Sequence, residues 1–259
     1  MRDQGLDRAI RAVGGVTELA RRIGISQPSV SNWERIPAER VLSVEVATGV
    51  ARNLLRPDLF GLEAIEMRAP DEVDAARAQE YALLATLLAR APDTKLLSRL
   101  ARLRGDASEL GMAHAAMGEA AARLDQEHVA REHFTLFVGV GRGELLPYAS
   151  YYLTGFLYQR PLAQLRGHLK RLGIERAEAQ AEPEDNAATI CEVMAALISG
   201  AIEAPDDADR DFFERHIAPW MGRFFADLES SPAADFYARV GAIGRTFLDI
   251  EAEAFQLPR

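Results

Sequence analysis

Val16-Thr-Glu-Leu-Ala-Arg-Arg-Ile-Gly-Ile-Ser-Gln-Pro-Ser-Val-Ser-Asn-Trp-Glu-Arg35 is the stretch from which the fold of the N-terminal part is read. Thr17 is positioned to N-cap a short helix, with Glu18 in its first turn, where a carboxylate meets the positive end of the helix dipole. Leu19 and Ile23 lie four apart and share one face. Ala20 is small where a second helix must cross. Gly24 supplies the left-handed residue that ends the helix, and Ile25 fills the corner. Ser26 can cap a second helix, with Pro28 in its first turn, where a missing N–H is no loss. Val30 and Trp33 then face back onto Leu19 and Ile23, which leaves Gln27, Ser29, Ser31, Asn32 and Arg35 outward. Two short helices, a glycine turn and a polar outer face make the layout of a helix-turn-helix.

The amide and hydroxyl groups of Gln27, Ser29, Ser31 and Asn32 are short enough to meet base edges in a major groove, and Arg22, Arg35 and Arg40 suit phosphates. A small helical bundle serving protein contacts carries the same apolar pattern. The segment resembles the Cro and YdaS-like repressor helix-turn-helix family, and the continuation through Ile36-Pro-Ala-Glu-Arg40 to Leu55-Arg-Pro-Asp-Leu-Phe60 extends the likeness over residues 5–60. The resemblance implies DNA binding through Arg22, Gln27, Ser29, Ser31, Asn32 and Arg35. One such module grips DNA weakly, so a homodimer is expected.

Moving outward, residues 61–70 lack a period and are punctuated by Gly61 and Pro70. They read as a linker between a domain at 1–60 and a second at 71–259, with Asp71 capping the next helix. Charge divides along the same line. Residues 1–68 hold ten arginines against nine acidic residues, and the remaining chain holds 20 basic against 30 acidic. A chain of net charge −9 is unsuited to act only by coating nucleic acid. With 48% hydrophobic and 27% charged residues it has ample material for a core, which excludes disorder as its main state. The single cysteine, Cys191, excludes an intrachain disulfide and a multi-cysteine metal site. The N-terminal stretch lacks an apolar signal-peptide core, and no apolar run reaches the roughly 18 residues of a membrane span. A soluble cytoplasmic protein without membrane association is expected.

The second domain reads as helical almost throughout, with no convincing strand, so the fold class is all-α. Tyr81, Leu84 and Leu88 line one face, widened by Leu83 and Leu87. Ile190, Val193, Met194, Leu197 and Ile198 follow helical spacing. Phe236, Val240, Ile243, Phe247 and Ile250 form a third stripe. Two stretches break the pattern. In Glu132–Tyr152, Gly139, Gly141 and Gly143 make a flexible loop that Pro147 ends, and Tyr148, Tyr151 and Tyr152 follow it. In Glu182-Pro-Glu-Asp-Asn186, acidic residues precede the helix of Cys191, where capping accounts for part of the signal.

These two stretches, a helix ending in Leu-Phe with a Gly-rich loop and Pro-Tyr-x-Ser-x-Tyr, then Glu-Pro-x-Asp, resemble the TorD/DmsD family of redox-enzyme maturation chaperones. Phe212-Phe-Glu-Arg-His-Ile-Ala-Pro-Trp220 with Phe224 and Phe225 resembles a later region of that family, so the likeness covers nearly all of the second domain. It implies an all-helical chaperone rather than an enzyme, without a cofactor of its own. Its partner would be a molybdoenzyme apoprotein, a formate dehydrogenase being one such client, or the twin-arginine signal peptide. The positions that match are Tyr148, Ser150, Tyr152, Glu182, Pro183, Asp185 and Asn186. Carboxylates there pair well with guanidinium groups, and tyrosines offer an apolar body with a polar tip. Asn186 stands where the family usually has His, so the position hydrogen-bonds but does not titrate. The alternative is a transcription regulator whose helical domain senses a client. The five histidines are scattered and suggest no metal site. His216 reads as structural, and Cys191 as a small buried hydrophobe.

Overall fold

The structure, a computed structural model, describes residues 3–50, 52–56, 72–175 and 182–257. It divides into two compact units, Met1–Arg68 and Ala69–Arg259. The expected linker at 61–70 and the Asp71 cap lie outside the described residues.

The first unit, the head, contains α1 (Gln4–Val13), α2 (Val16–Arg22), α3 (Gln27–Ser31), α4 (Val41–Thr48) and α5 (Arg52–Leu55). Asp3 caps α1 by accepting from Gly5 N–H at 2.8 Å. Ser26 caps α3 through Ser29 N–H, and Pro28 sits in the first turn of that helix. Gly24 takes the left-handed conformation expected of it, with φ of 70°. Leu6, Leu19, Val30, Ile36, Val41, Val44 and Leu55 close one small core.

Two local expectations are corrected. The helix α2 starts at Val16 with Gly15 as its N-cap, so Thr17 lies inside it. Gly15 N–H bonds back to Ile10, and this tight turn leads the chain from α1 directly into α2. The helix α3 stops at Ser31, because the following residues turn to join α1, with Asp3 N–H donating to Glu34 C=O at 2.8 Å. Trp33 therefore follows the helix and is half-buried against the core.

In the second unit follow α6 (Glu72–Ala89), α7 (Thr94–Leu100), α8 (Glu109–Arg123), α9 (Gln126–His133), α10 (Ala149–Thr154), α11 (Arg160–Arg171), α12 (Ala187–Ile198), α13 (Ala208–His216), α14 (Met221–Ser230) and α15 (Phe236–Gln256). Among the described residues there is no strand, only an isolated antiparallel bridge between Tyr148 and Asn186. The stripes read from spacing do face inward. Tyr81, Leu84, Leu87 and Leu88 of α6 meet Ile190, Val193, Met194 and Leu197 of α12 in the main core. The rings of Phe212, Phe224, Phe225, Phe236 and Tyr237 are fully buried there, each worth on the order of 2 kcal/mol in area removed from water.

Ile250 departs from its stripe and is exposed. The inward position is Glu251, buried to 1% exposure. It receives Arg77 at 2.7 and 2.9 Å and Tyr81 OH at 3.2 Å. A buried ion pair takes the place that apolar spacing assigns to a hydrophobe. Cys191 is buried as expected, and burial pushes its thiol up to about 12.

Candidate peptide-binding face

The Gly-rich stretch is a hairpin-like return. Helix α9 runs into a wide turn at Phe134–Val138, closed by Gly139 N–H donating to Phe134 C=O at 2.7 Å. Gly139 is left-handed, with φ of 62°. The chain then doubles back, Glu144 N–H bonding Thr135 C=O and Leu145 N–H bonding Leu136 C=O. A Cβ on Gly143 would lie 2.6 Å from Leu136 O, so the return accepts only glycine at that point.

Pro147–Ser150 and Asp185–Ala187 are knit together. Ala187 N–H donates to Pro147 C=O at 2.8 Å, and Ala149 N–H donates to Asp185 C=O at 2.9 Å. The six-residue helix α10 has no capping side chain of its own at Tyr148. Asp185 supplies the cap from 35 residues away, accepting from Ser150 N–H at 2.8 Å and from Ser150 Oγ. A helix start leaves backbone N–H groups without partners, and a carboxylate is the strongest neutraliser available for them.

This arrangement sorts the expected site residues. Asp185 is 1% exposed and Ser150 0%, so both act inside the fold, and a direct guanidinium contact from Asp185 is not what the geometry offers. Pro183 is buried, and Glu184 is paired with Arg166 of α11 at 2.8 Å. Asn186 caps α12 through Ala188 N–H at 2.9 Å. Tyr148, Tyr152 and Glu182 reach the surface. Tyr148 OH donates to Glu182, while Tyr152 OH donates to Asp227 of α14 at 3.0 Å. Burial, reinforced by these carboxylates, raises both phenols above their ordinary range. They therefore stay protonated donors, and each carboxylate keeps lone pairs that the phenol does not fill. Tyr152 also packs on Trp220 at 5.5 Å, with the Arg223 guanidinium 5.8 Å from its ring. Arg142 lies over Tyr151 and donates to its hydroxyl at 2.8 Å.

In the head, the polar face of α3 is exposed but partly tied to itself. Gln27 donates to Ser31 at 2.9 Å, and the Ser26 and Ser29 hydroxyls are 2.7 Å apart. Arg22 bonds Glu18 and Ala47 C=O, and Arg35 pairs with Asp3. Arg21 and Arg22 together hold Glu18 down at about 2. Asn32 is exposed. Arg8, Arg11 and Arg40 are exposed and make no ion pair among the described residues.

Sequence reasoning missed the long-range partners. His168 Nδ1 and His216 Nε2 are 2.9 Å apart in the interior, joining α11 to α13. Glu132, 6% exposed, accepts the N–H groups of Asp235, Phe236 and Tyr237 at 2.7–3.1 Å and so caps α15. No local signal marks either. Among the described residues, no group of three metal-ligating side chains comes together, and no helix is long and apolar enough to cross a membrane.

These features define an all-helical domain with a tyrosine-and-carboxylate face, preceded by a helix-turn-helix head. Residues 103–226 match the model of the nitrate reductase delta subunit family, and residues 6–63 match that of the bacterial toxin YdaS. The chaperone protein TorD of Shewanella pealeana is 24% identical over 220 residues, covering 76% of this chain and 96% of that protein. TorD of Vibrio cholerae is 26% identical over 132 residues, 48% of this chain and 60% of its own length. YdaS of Escherichia coli, described as a transcriptional regulator, is 41% identical over 58 residues, 20% of this chain and 59% of that protein. A crystal structure of a redox enzyme maturation protein from Archaeoglobus fulgidus aligns with a TM-score of 0.45 at 19% identity, covering 67% of this chain and 93% of that one. The second unit thus matches a nitrate reductase delta subunit domain and is similar to TorD chaperones, and the head matches a YdaS domain.

Proposed function

We propose that the protein is a cytoplasmic chaperone for a molybdoenzyme, holding the apoprotein or its twin-arginine signal peptide before cofactor loading. The observation that carries this reading is the pair of surface phenol–carboxylate contacts, Tyr148 with Glu182 and Tyr152 with Asp227, around one short helix. Each leaves a carboxylate able to accept a guanidinium. The second unit's surplus of ten acidic over basic residues steers a basic peptide toward it. The TorD relatives support the chaperone class, and a formate dehydrogenase is among the clients to test. Calorimetry with twin-arginine peptides is the direct experiment. Binding weakened about tenfold by Glu182→Gln supports the reading, since a charge-assisted hydrogen bond contributes about 1.5–3 kcal/mol. Failure of every such peptide and of every apoenzyme to bind refutes it. With Asn at 186, this position adds no pH dependence to binding between pH 6 and 8.

A second reading, a regulator whose TorD-type domain senses a client, is favoured by the head. Gln27, Ser29 and Asn32 are exposed, and Arg8, Arg11 and Arg40 are without ion-pair partners among the described residues. Gel shifts against genomic fragments at several salt concentrations test it. Asn32→Ala is expected to relax sequence preference, and Arg40→Ala to weaken all fragments alike. Absence of retention at low salt removes DNA from the function.

A further inference from the structure

The second unit is acidic, yet one stretch of it is basic. Residues 90–104 carry Arg90, Lys95, Arg99, Arg102 and Arg104 against a single acid, Asp93. All five bases are exposed, and none makes an ion pair among the described residues. Elsewhere in this unit Arg77, Arg123, Arg131, Arg166, Arg215 and Arg245 are paired with carboxylates. The acids beside the basic stretch have other work. Asp93 caps α7 through Leu96 N–H at 2.7 Å, Asp106 accepts from Ser108 N–H at 3.0 Å, and Asp125 caps α9 through His128 N–H at 2.7 Å.

Helix α7 sets the bases in a row. Leu97 and Leu100 are buried and fix the side that faces the core. Lys95 and Arg99 lie four apart on the opposite side. A turn continues past the helix, with Arg102 N–H on Arg99 C=O and Leu103 N–H on Leu100 C=O, and carries Arg102 along the same line. At 1.5 Å of rise per residue the row from Lys95 to Arg102 spans about 10 Å, roughly the axial rise of three phosphates on one strand of duplex DNA. Arg104 donates to Ala101 C=O and Leu103 C=O at 3.2 and 2.8 Å, which holds it at the end of the row.

The head is short of such charge. Residues 1–68 hold ten arginines against nine acids, and Arg21, Arg22, Arg35 and Arg52 are paired within the head. A helix-turn-helix of that balance draws little from phosphate neutralisation, the sequence-independent part of DNA affinity. We propose that Arg90, Lys95, Arg99, Arg102 and Arg104 contact the phosphate backbone of double-stranded DNA and supply that part. The proposal rests on the DNA-binding reading of the head. Four of the five bases are arginines, whose planar fork suits phosphate oxygens. Contacts of this kind add affinity without sequence preference, which stays with the head.

The test uses the full chain and duplex genomic fragments, with affinities measured by gel shift between about 50 and 200 mM salt. The variant carries Lys95→Gln, Arg99→Gln and Arg102→Gln together. A control carries Lys170→Gln, Arg171→Gln and Arg239→Gln, exposed positions that change net charge by the same amount. Thermal scans check folding. Each lost phosphate contact makes the slope of log affinity against log salt shallower by about 0.9, so the row variant is expected to lose about 2–3 of slope. Across that salt range wild type then loses affinity by up to about 40-fold more than the variant. The control keeps the wild-type slope, and the row variant keeps the wild-type sequence preference. If wild type binds DNA and the row variant keeps its slope, the inference fails and the DNA reading of the head stands. If wild type binds no fragment at the lowest salt, both fail. If the control flattens the slope as much as the row variant does, overall charge is responsible and the inference is overturned. It is equally overturned if the row variant loses binding to poly-glutamate but not to DNA, because the row then serves an acidic polypeptide.

Discussion

Both units cap helices locally, Asn186 serving α12 in this way, but the second unit also caps two helices from a distance. In the head, caps come from the chain next door. Asp3 reaches Gly5, and Ser26 reaches Ser29. In the second unit two helices are capped from far away, α15 by Glu132 across about a hundred residues and α10 by Asp185 across 35. A local cap stabilises a helix wherever the helix goes. A distant cap also fixes where the helix lies, because it bonds only when both segments are in place. The larger unit therefore uses the same carboxylate chemistry to set its tertiary arrangement.

The greatest effect is expected from Glu132→Ala, which leaves three N–H groups without their acceptor. At about 1–3 kcal/mol for each buried unsatisfied group, offset in part by water, the loss is about 3–5 kcal/mol. A thermal scan reads this as a fall of roughly 10 °C in the midpoint of the second unit. A fall as small as that of a surface change would mean that Glu132 does not hold α15 in place.

Asp185→Ala comes next, at about 2 kcal/mol for two lost donors. Its signature is local. Hydrogen exchange is expected to speed at Ser150 and Tyr151 while α15 stays protected, and Asp185→Asn, which keeps an acceptor, recovers part of the loss. Uniform loss of protection across the unit would mean that Asp185 supports the whole core instead of one face.

The histidines sharpen the contrast through pH. Burial, then the His168 imidazole and Arg215, lowers His216 to about 4 from its ordinary 6.5. Below pH 6.5 the unfolded chain takes up a proton that the folded chain refuses, so this group lowers stability as pH falls from 6.5 to 4. His114 has the opposite sign. The hydrogen bond to Glu80 raises it, so its contribution is full below 6.5 and is lost as pH rises through its folded value. Urea titrations across pH check this. His216→Phe is expected to flatten the acid limb by on the order of 1–2 kcal/mol, and His114→Gln to lower stability near pH 6 more than near pH 8.

The smallest effect belongs to the head. Ser26→Ala is expected to cost about 1 kcal/mol, the usual loss for a removed N-cap. It should move the head's transition and leave that of the second unit unchanged. A shared shift would mean that the units do not unfold separately.

What was legible follows the same division. Ser26, Pro28 and Gly24 could be read from neighbours, because their roles are completed within three or four residues. The α6 and α12 stripes were legible because helical period alone decides which side chains turn inward. Asp185 was readable as important but not as buried, since its partner Ser150 is distant and only the fold brings them together. The Ile250 error has the same origin, as periodicity cannot anticipate that Arg77 will place a carboxylate at 251. His216 was readable as structural, but nothing in the sequence names His168 as its partner. The end of α3 was missed because Glu34 answers to Asp3, the cap of a helix that precedes the motif.

The distant cap on α10 also sets a timetable. Ribosomes deliver Tyr148, Ser150 and Tyr152 before Asp185 exists to hold them. At about 5–20 residues per second, the interval between Ser150 and Asp185 lasts roughly 2–7 s. A nascent chain in that interval has the tyrosines but no acceptor for the Ser150 N–H, so it cannot yet form the finished face. The proposed peptide face is therefore completed only after most of the chain has been synthesised.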